Sequence, residues 1–78
     1  TIIDEIEMNL KALFEEHKDA VITLAAHPFV AAYLKKNMYG YQRNWFKSYK
    51  RWVPVEAKNA LKMLDYEFLD KEGKEILF

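Results

Sequence analysis

At 78 residues, with no cysteine and a formal net charge of zero, the chain has room for one domain, whose core supplies only about 3–5 kcal/mol net. The composition excludes disulfide staples and thiolate zinc sites and suits a reducing, cytoplasmic setting. AVITLAAHPFVAAYL is interrupted at His27 and Pro28 and is too short to span a bilayer, so no membrane partner is expected.

Charge is nonetheless uneven along the chain. Residues 1–19 carry −4, residues 20–55 carry +6 with no acid at all, and residues 56–78 carry −2. A basic middle of this kind serves an acidic partner, the chain's own acidic ends, or another subunit. Thr1–Leu10 is acidic and has no basic n-region, which argues against a signal peptide. A start at Thr1 instead of Met is expected of a fragment or a processed chain.

From Ile3 to His17, apolar residues at Ile3, Ile6, Leu10, Leu13 and Phe14 form one helical stripe, while Glu7, Lys11, Glu15 and Lys18 lie away from it. Ala20 to Ala26 is short, apolar and β-branched at Val21, Ile22 and Thr23, the pattern of a strand buried on both faces. Pro28 suits the first turn of a second helix, whose apolar spacing continues through Phe29, Val30, Tyr33 and Leu34 to Lys35 and Lys36. Asn37 to Gly40 reads as a break, with a continuous helix through Gly40 as the alternative.

Tyr41 to Trp52 then reads as a third helix. On a wheel of about 100° per residue, Tyr41, Trp45, Tyr49 and Trp52 gather in one quadrant with Phe46 beside them, and Arg43, Lys47, Lys50 and Arg51 lie on the other side. A strand would bury the bases with the aromatics, so the helix costs less. Val53 to Lys58 reads as a strand with Pro54 near its start or on an edge, and Asn59 to Lys62 as a loop. Leu64, Tyr66 and Phe68 alternate with Asp65, Glu67 and Leu69 in a half-exposed strand. Asp70 to Gly73 has the chemistry of a type I turn with a left-handed glycine, leading into Ile76, Leu77 and Phe78. The order α-β-α-α-β-β-β predicts an α+β fold, a sheet of about four strands with helices on one face.

The basic helix face is the best candidate site. Arg43, Lys47, Lys50 and Arg51, with Lys35 and Lys36 at the preceding helix end, either track a phosphate backbone or are simply solvated. A stacking platform needs exposed aromatics beside the bases, and the wheel puts the aromatics opposite, as core. His27, between strand and Pro28, reads as a cap or junction residue before a catalyst, and His17 as a last-turn residue of the first helix. Neither histidine has carboxylate or cysteine neighbours at a metal-ligand spacing. No glycine-rich phosphate loop, nucleophile elbow or HExxH occurs. Asp65 and Glu67 alternate on a strand face, as any half-exposed strand would show. The residues name no catalytic group and no metal ligand.

AVITLAAHPFVAAYLKK, WFKSYKRW, VPVEAKN and MLDYEFLDKEG, taken in order, resemble the C-terminal small domain of the bacterial ribonuclease E/G family. The resemblance covers about Val21 to Asp70, and HPFVAAYL, His27 to Leu34, is its most telling piece. In that family a separate metal-dependent domain with paired aspartates cleaves single-stranded RNA, an S1-type domain precedes it, and a cysteine-rich zinc link joins subunits. None of those parts lies in these residues, so no catalytic residue carries over, and magnesium and zinc are expected only in the missing parts. The resemblance implies that residues 1–78 are one small domain from the C-terminal end of a larger cytoplasmic endoribonuclease. It implies a non-catalytic role in oligomer or interdomain assembly, with the catalytic domain or other subunits as partners. RNA binding through the basic helix face is the alternative.

Overall fold

The computed structural model describes residues 2–17 and 20–76, with 37 and 38 described by backbone alone. The elements are α1 (Ile2–Glu16), β1 (Thr23–Ala26), α2 (Pro28–Leu34), α3 (Lys36–Tyr49), β2 (Val55–Ala57) and β3 (Tyr66–Leu69). The three strands form one mixed sheet in the order β2-β1-β3, with β1 parallel to β2 and antiparallel to β3. This is the expected α+β class, with the sheet one strand smaller than expected.

The register sorts the faces of the sheet. Leu24 lies opposite both Val55 and Phe68, and all three are buried. Ala25 lies opposite Glu56 and Glu67, so the acids of both flanking strands share the other face. One face is therefore apolar and takes the helices. The α1 stripe Ile6, Leu10, Leu13 and Phe14 packs into a single core with Ile22, Val30, Leu34, Trp45 and Val53. On the opposite face Lys58 reaches Glu67 at 2.7 Å, a solvated pair of little energetic weight. Its effect on Lys58 is to raise the amine's pKa, first through that hydrogen bond.

A parallel neighbour demands a crossover, because chain direction must be restored before the strand can return. Here α2 and α3 supply it: α2 packs on β1, β2 and α3. The Pro54 carbonyl accepts from the Leu24 amide at 2.9 Å, and the Lys58 amide donates to the Ala26 carbonyl at 2.8 Å, extending the β1–β2 ladder at each end. Pro54 precedes an edge strand, where its missing donor costs nothing.

Several expected boundaries move. The strand expected over Ala20 to Ala26 is ordered as a ladder only from Thr23, opposite Leu69 at the end of β3; Val21 is exposed and Ile22 is core without being in the ladder. The strand expected from Val53 narrows to Val55–Ala57, while Val53 is buried beside it. The loop beginning at Asn59 runs on to Asp65, whose amide donates to the Lys62 carbonyl at 3.0 Å. Leu64 therefore falls in the loop and is exposed. After β3, the Asp70 carboxylate accepts from the Glu72 and Lys74 amides, both at 2.9 Å, and Gly73 takes φ 85°. The expected turn forms, but the fourth strand reduces to a single bridge between Leu69 and Glu75; Leu77 and Phe78 lie outside the described residues, as do Lys18 and Asp19.

Polar ties fasten α1 to the rest. The Trp45 indole donates to Glu7 Oε2 at 2.9 Å, the Tyr66 hydroxyl donates to Glu5 Oε1 at 2.9 Å, and Asn9 Nδ2 donates to that hydroxyl at 2.6 Å. Phe14 and Tyr49 stack with ring centroids 5.2 Å apart. Glu7, expected in solvent, is thus half-buried under α3. Among the described residues, no helix is long and apolar enough to cross a membrane.

Phe68 is fully buried in the central register, and Phe→Ala in a core costs about 3–5 kcal/mol, as much as the whole net stability of such a domain. Phe68→Ala is therefore expected to leave the chain largely unfolded by circular dichroism at 25 °C, while Ile22→Val, at about 1 kcal/mol, stays folded with a lowered midpoint. Burial is the main cause that raises the pKa of both Tyr49 and Tyr66 above the usual tyrosine value. The folded state holds these protons more tightly than the unfolded chain, so this stability is complete below about pH 10 and is lost as pH rises through the folded values. Absorbance at 295 nm should show late-titrating tyrosines whose ionisation coincides with unfolding.

Candidate nucleic-acid interface

The segment Tyr39 to Trp52 does not separate its aromatics from its bases as a single wheel would. Trp45 is buried, and Tyr41 and Tyr49 are half-buried, as the wheel expects. Phe46 and Trp52 are 50% and 46% exposed, and Tyr39 is 48% exposed. The cause is where the helix stops. Lys50 turns left-handed (φ 60°), its amide donating to the Phe46 carbonyl at 2.7 Å, so α3 ends at Tyr49. Trp52 lies beyond the cap, is off the wheel, and points away from the core it was expected to join.

The break expected over Asn37 to Gly40 is displaced as well. The junction between α2 and α3 falls at Lys35, whose amide is shared by the Ala31 and Ala32 carbonyls, and α3 runs through Gly40. The left-handed residue is Tyr39 (φ 64°), not the glycine next to it. For a bulky residue that conformation costs on the order of 1–2 kcal/mol, and it swings the Tyr39 ring outward until it meets Trp52 edge-on, centroids 6.4 Å apart.

The end of α3 at Tyr49 leaves a surface that neither helix geometry nor composition announced. Phe46 and Trp52 line a hollow of about 510 Å³ together with Gly40, Arg43, Asn44 and Lys47. Of the six basic candidates, the structure brings Arg43 and Lys47 to this hollow. Lys35 and Lys50 are exposed and Arg51 is half-buried, but none of the three lines it. Lys36 is directed elsewhere, its ammonium 5.2 Å from the Tyr33 ring centroid. Inside the helix, Gln42 is buried and its Nε2 donates to the Val53 carbonyl at 3.1 Å, with Oε1 left without a partner. That bond holds the Val53 backbone against α3 and so fixes where Trp52 emerges.

The other candidates resolve into structural roles. His27 is the N-cap of α2: its Nδ1 accepts from the Phe29 amide at 3.1 Å, its ring rests 5.5 Å from that of Phe29, and Pro28 occupies the first helical position. Glu67 is held by Lys58, and Asp65 is exposed in the loop. Among the described residues, no group of three or more histidines and carboxylates converges as a metal site would require.

Removing an N-cap acceptor costs about 1 kcal/mol. His27→Ala is expected to lower unfolding stability by that amount in urea titrations, and His27→Asn, which retains a capping oxygen, to restore most of it.

No family model, curated protein or solved structure matches the chain.

Proposed function

We propose that this chain is a non-catalytic domain that holds single-stranded RNA within a larger RNA-processing enzyme of the ribonuclease E/G kind that it resembles. The observation that carries this reading is the exposure of Phe46 and Trp52 beside Arg43 and Lys47, with the exposed Tyr39 ring against Trp52. Aromatic faces accept unstacked bases of any identity, and bases within a few ångströms of them neutralise the connecting phosphates. A duplex hides its base faces, so this surface favours single strands. The strained backbone of Tyr39 supports the same reading, since strain is retained where a side chain is needed in a particular place. Lys35, Lys50 and Arg51 add positive potential around the hollow instead of direct contact within it, while Lys36 is turned to Tyr33. Cleavage belongs to a separate domain on this reading.

A second reading, support of oligomer or interdomain assembly, is favoured by a different observation. Phe29, Met63 and Leu64 are exposed at 70%, 48% and 72%, and none of them lines the basic hollow. Sedimentation equilibrium of the chain, alone and with the remainder of its parent enzyme, separates a strict monomer that binds nothing from a subunit that assembles.

The RNA reading is tested by fluorescence anisotropy of a labelled oligouridylate across salt concentrations. Phe46→Ala and Trp52→Ala are each expected to weaken binding about 5- to 150-fold, the equivalent of about 1–3 kcal/mol per stacked base. Arg43→Glu with Lys47→Glu should flatten the dependence of log Kd on log salt by roughly 1.4, two phosphate contacts' worth. The oligonucleotide should remain intact in magnesium throughout. Binding that ignores all four changes, or magnesium-dependent cleavage by the purified chain, contradicts this reading.

A further inference from the structure

A second concave surface lies where α1 meets the start of α2. Its volume is about 550 Å³, and its walls are apolar or aromatic, among them Ile3, Phe29, Tyr33 and Met63, with Asp4 and Glu7 as its acids. Asp4 and Glu7 are three residues apart on α1 and so lie on one face of the helix. Phe29 leaves most of its ring in water, although it stands one residue after a well-capped helix start where a polar side chain would serve as well.

The electrostatics of this groove are opposite to those of the hollow on α3. Tyr41, which also lines it, hydrogen-bonds to Tyr33, and that bond, with burial and the negative charges of Glu7 and Asp4, holds the Tyr41 hydroxyl above the usual tyrosine pKa. A phosphate backbone would be repelled here. The Lys36 ammonium lies 5.2 Å from the centroid of the Tyr33 ring, which sets one positive charge against the two carboxylates of the lining. Glu7 uses one oxygen for the Trp45 indole, and a carboxylate with about four acceptor positions keeps capacity for a further donor.

We propose that this groove docks a segment of a partner polypeptide in which a large apolar side chain is flanked by arginine or lysine. The apolar side chain seats among Ile3, Phe29 and Met63, and the basic one reaches Asp4 and Glu7. Charge complementarity selects this occupant over RNA. The inference rests on the assembly reading only in requiring a protein partner, and it is independent of the RNA reading.

The test is a selection of phage-displayed random dodecapeptides on the immobilised chain, followed by anisotropy with the enriched peptides in synthetic form. Enriched sequences are expected to place Arg or Lys within four residues of a large apolar side chain. Asp4→Asn with Glu7→Gln should weaken the peptide about tenfold and reduce its salt dependence, and Phe29→Ser should weaken it comparably. Arg43→Glu with Lys47→Glu should leave it unchanged. Glu7→Gln keeps an oxygen for the Trp45 indole, and Asp4 and Phe29 are exposed, so circular dichroism should show all these variants folded. Absence of enrichment, enrichment of acidic peptides, or indifference to the Asp4 and Glu7 changes overturns the proposal. If the chain then self-associates in sedimentation, the assembly reading survives with a second copy as the occupant; a monomer that also ignores its parent enzyme removes both.

Discussion

β1 is paired along both edges, Leu24 to Ala26 with β2 and Thr23 to Ala26 with β3, and Leu24 to Ala26 are buried. Every other element takes its place from that constraint. A strand with no free edge needs one partner from each side, and the chain supplies β2 in parallel and β3 in antiparallel orientation. The parallel partner cannot follow through a tight turn, so a helical crossover has to intervene. That crossover is α2 and α3, and its exit at Val53 is set by the sheet register on one side and by Gln42 on the other. The placement of Trp52, and with it the aromatic-basic hollow, is thus a remote consequence of four small or apolar residues in the middle of the sheet.

Much of this was legible in the amino-acid order because the relevant signals are periodic or stereochemical. The stripe Ile6, Leu10, Leu13 and Phe14 is buried as its spacing requires. Pro28 begins α2 with His27 as its cap, and Gly73 takes the left-handed turn position with Asp70 accepting from the turn amides. What could not be read were the two left-handed residues that are not glycine. Lys50 and Tyr39 carry no side-chain preference for that conformation, and the neighbouring Gly40, which does, lies within α3 instead. A wheel continued past Lys50 therefore assigned Trp52 to the core. The half-buried Glu7 was hidden for a related reason: a carboxylate can be drawn inward by an indole from another helix, and spacing along α1 says nothing about α3.

The charge asymmetry of the chain acquires a spatial meaning from these facts. Glu5 and Glu7 accept from the neutral donors Tyr66 and Trp45, which ties α1 down while keeping its negative charge. The result is a small body 29 × 27 × 22 Å across with a cationic aromatic hollow on α3 and an anionic apolar groove between α1 and α2. Two concavities of opposite sign on one domain suit two different partners at once. On the proposed readings, the hollow holds a single strand while the groove engages another polypeptide.

On the proposed RNA reading the two tryptophans have different roles, Trp45 in the core and Trp52 as a stacking surface. Heteronuclear NMR of the 15N-labelled chain titrated with oligouridylate tests it directly, because each indole N–H gives its own signal. A large, saturable shift of the Trp52 indole is expected, with amides of Tyr39, Arg43 and Lys47 moving in parallel and the Trp45 indole, held by Glu7, staying in place. Shifts confined to the groove around Phe29 and Tyr33, or none at any concentration, would contradict it.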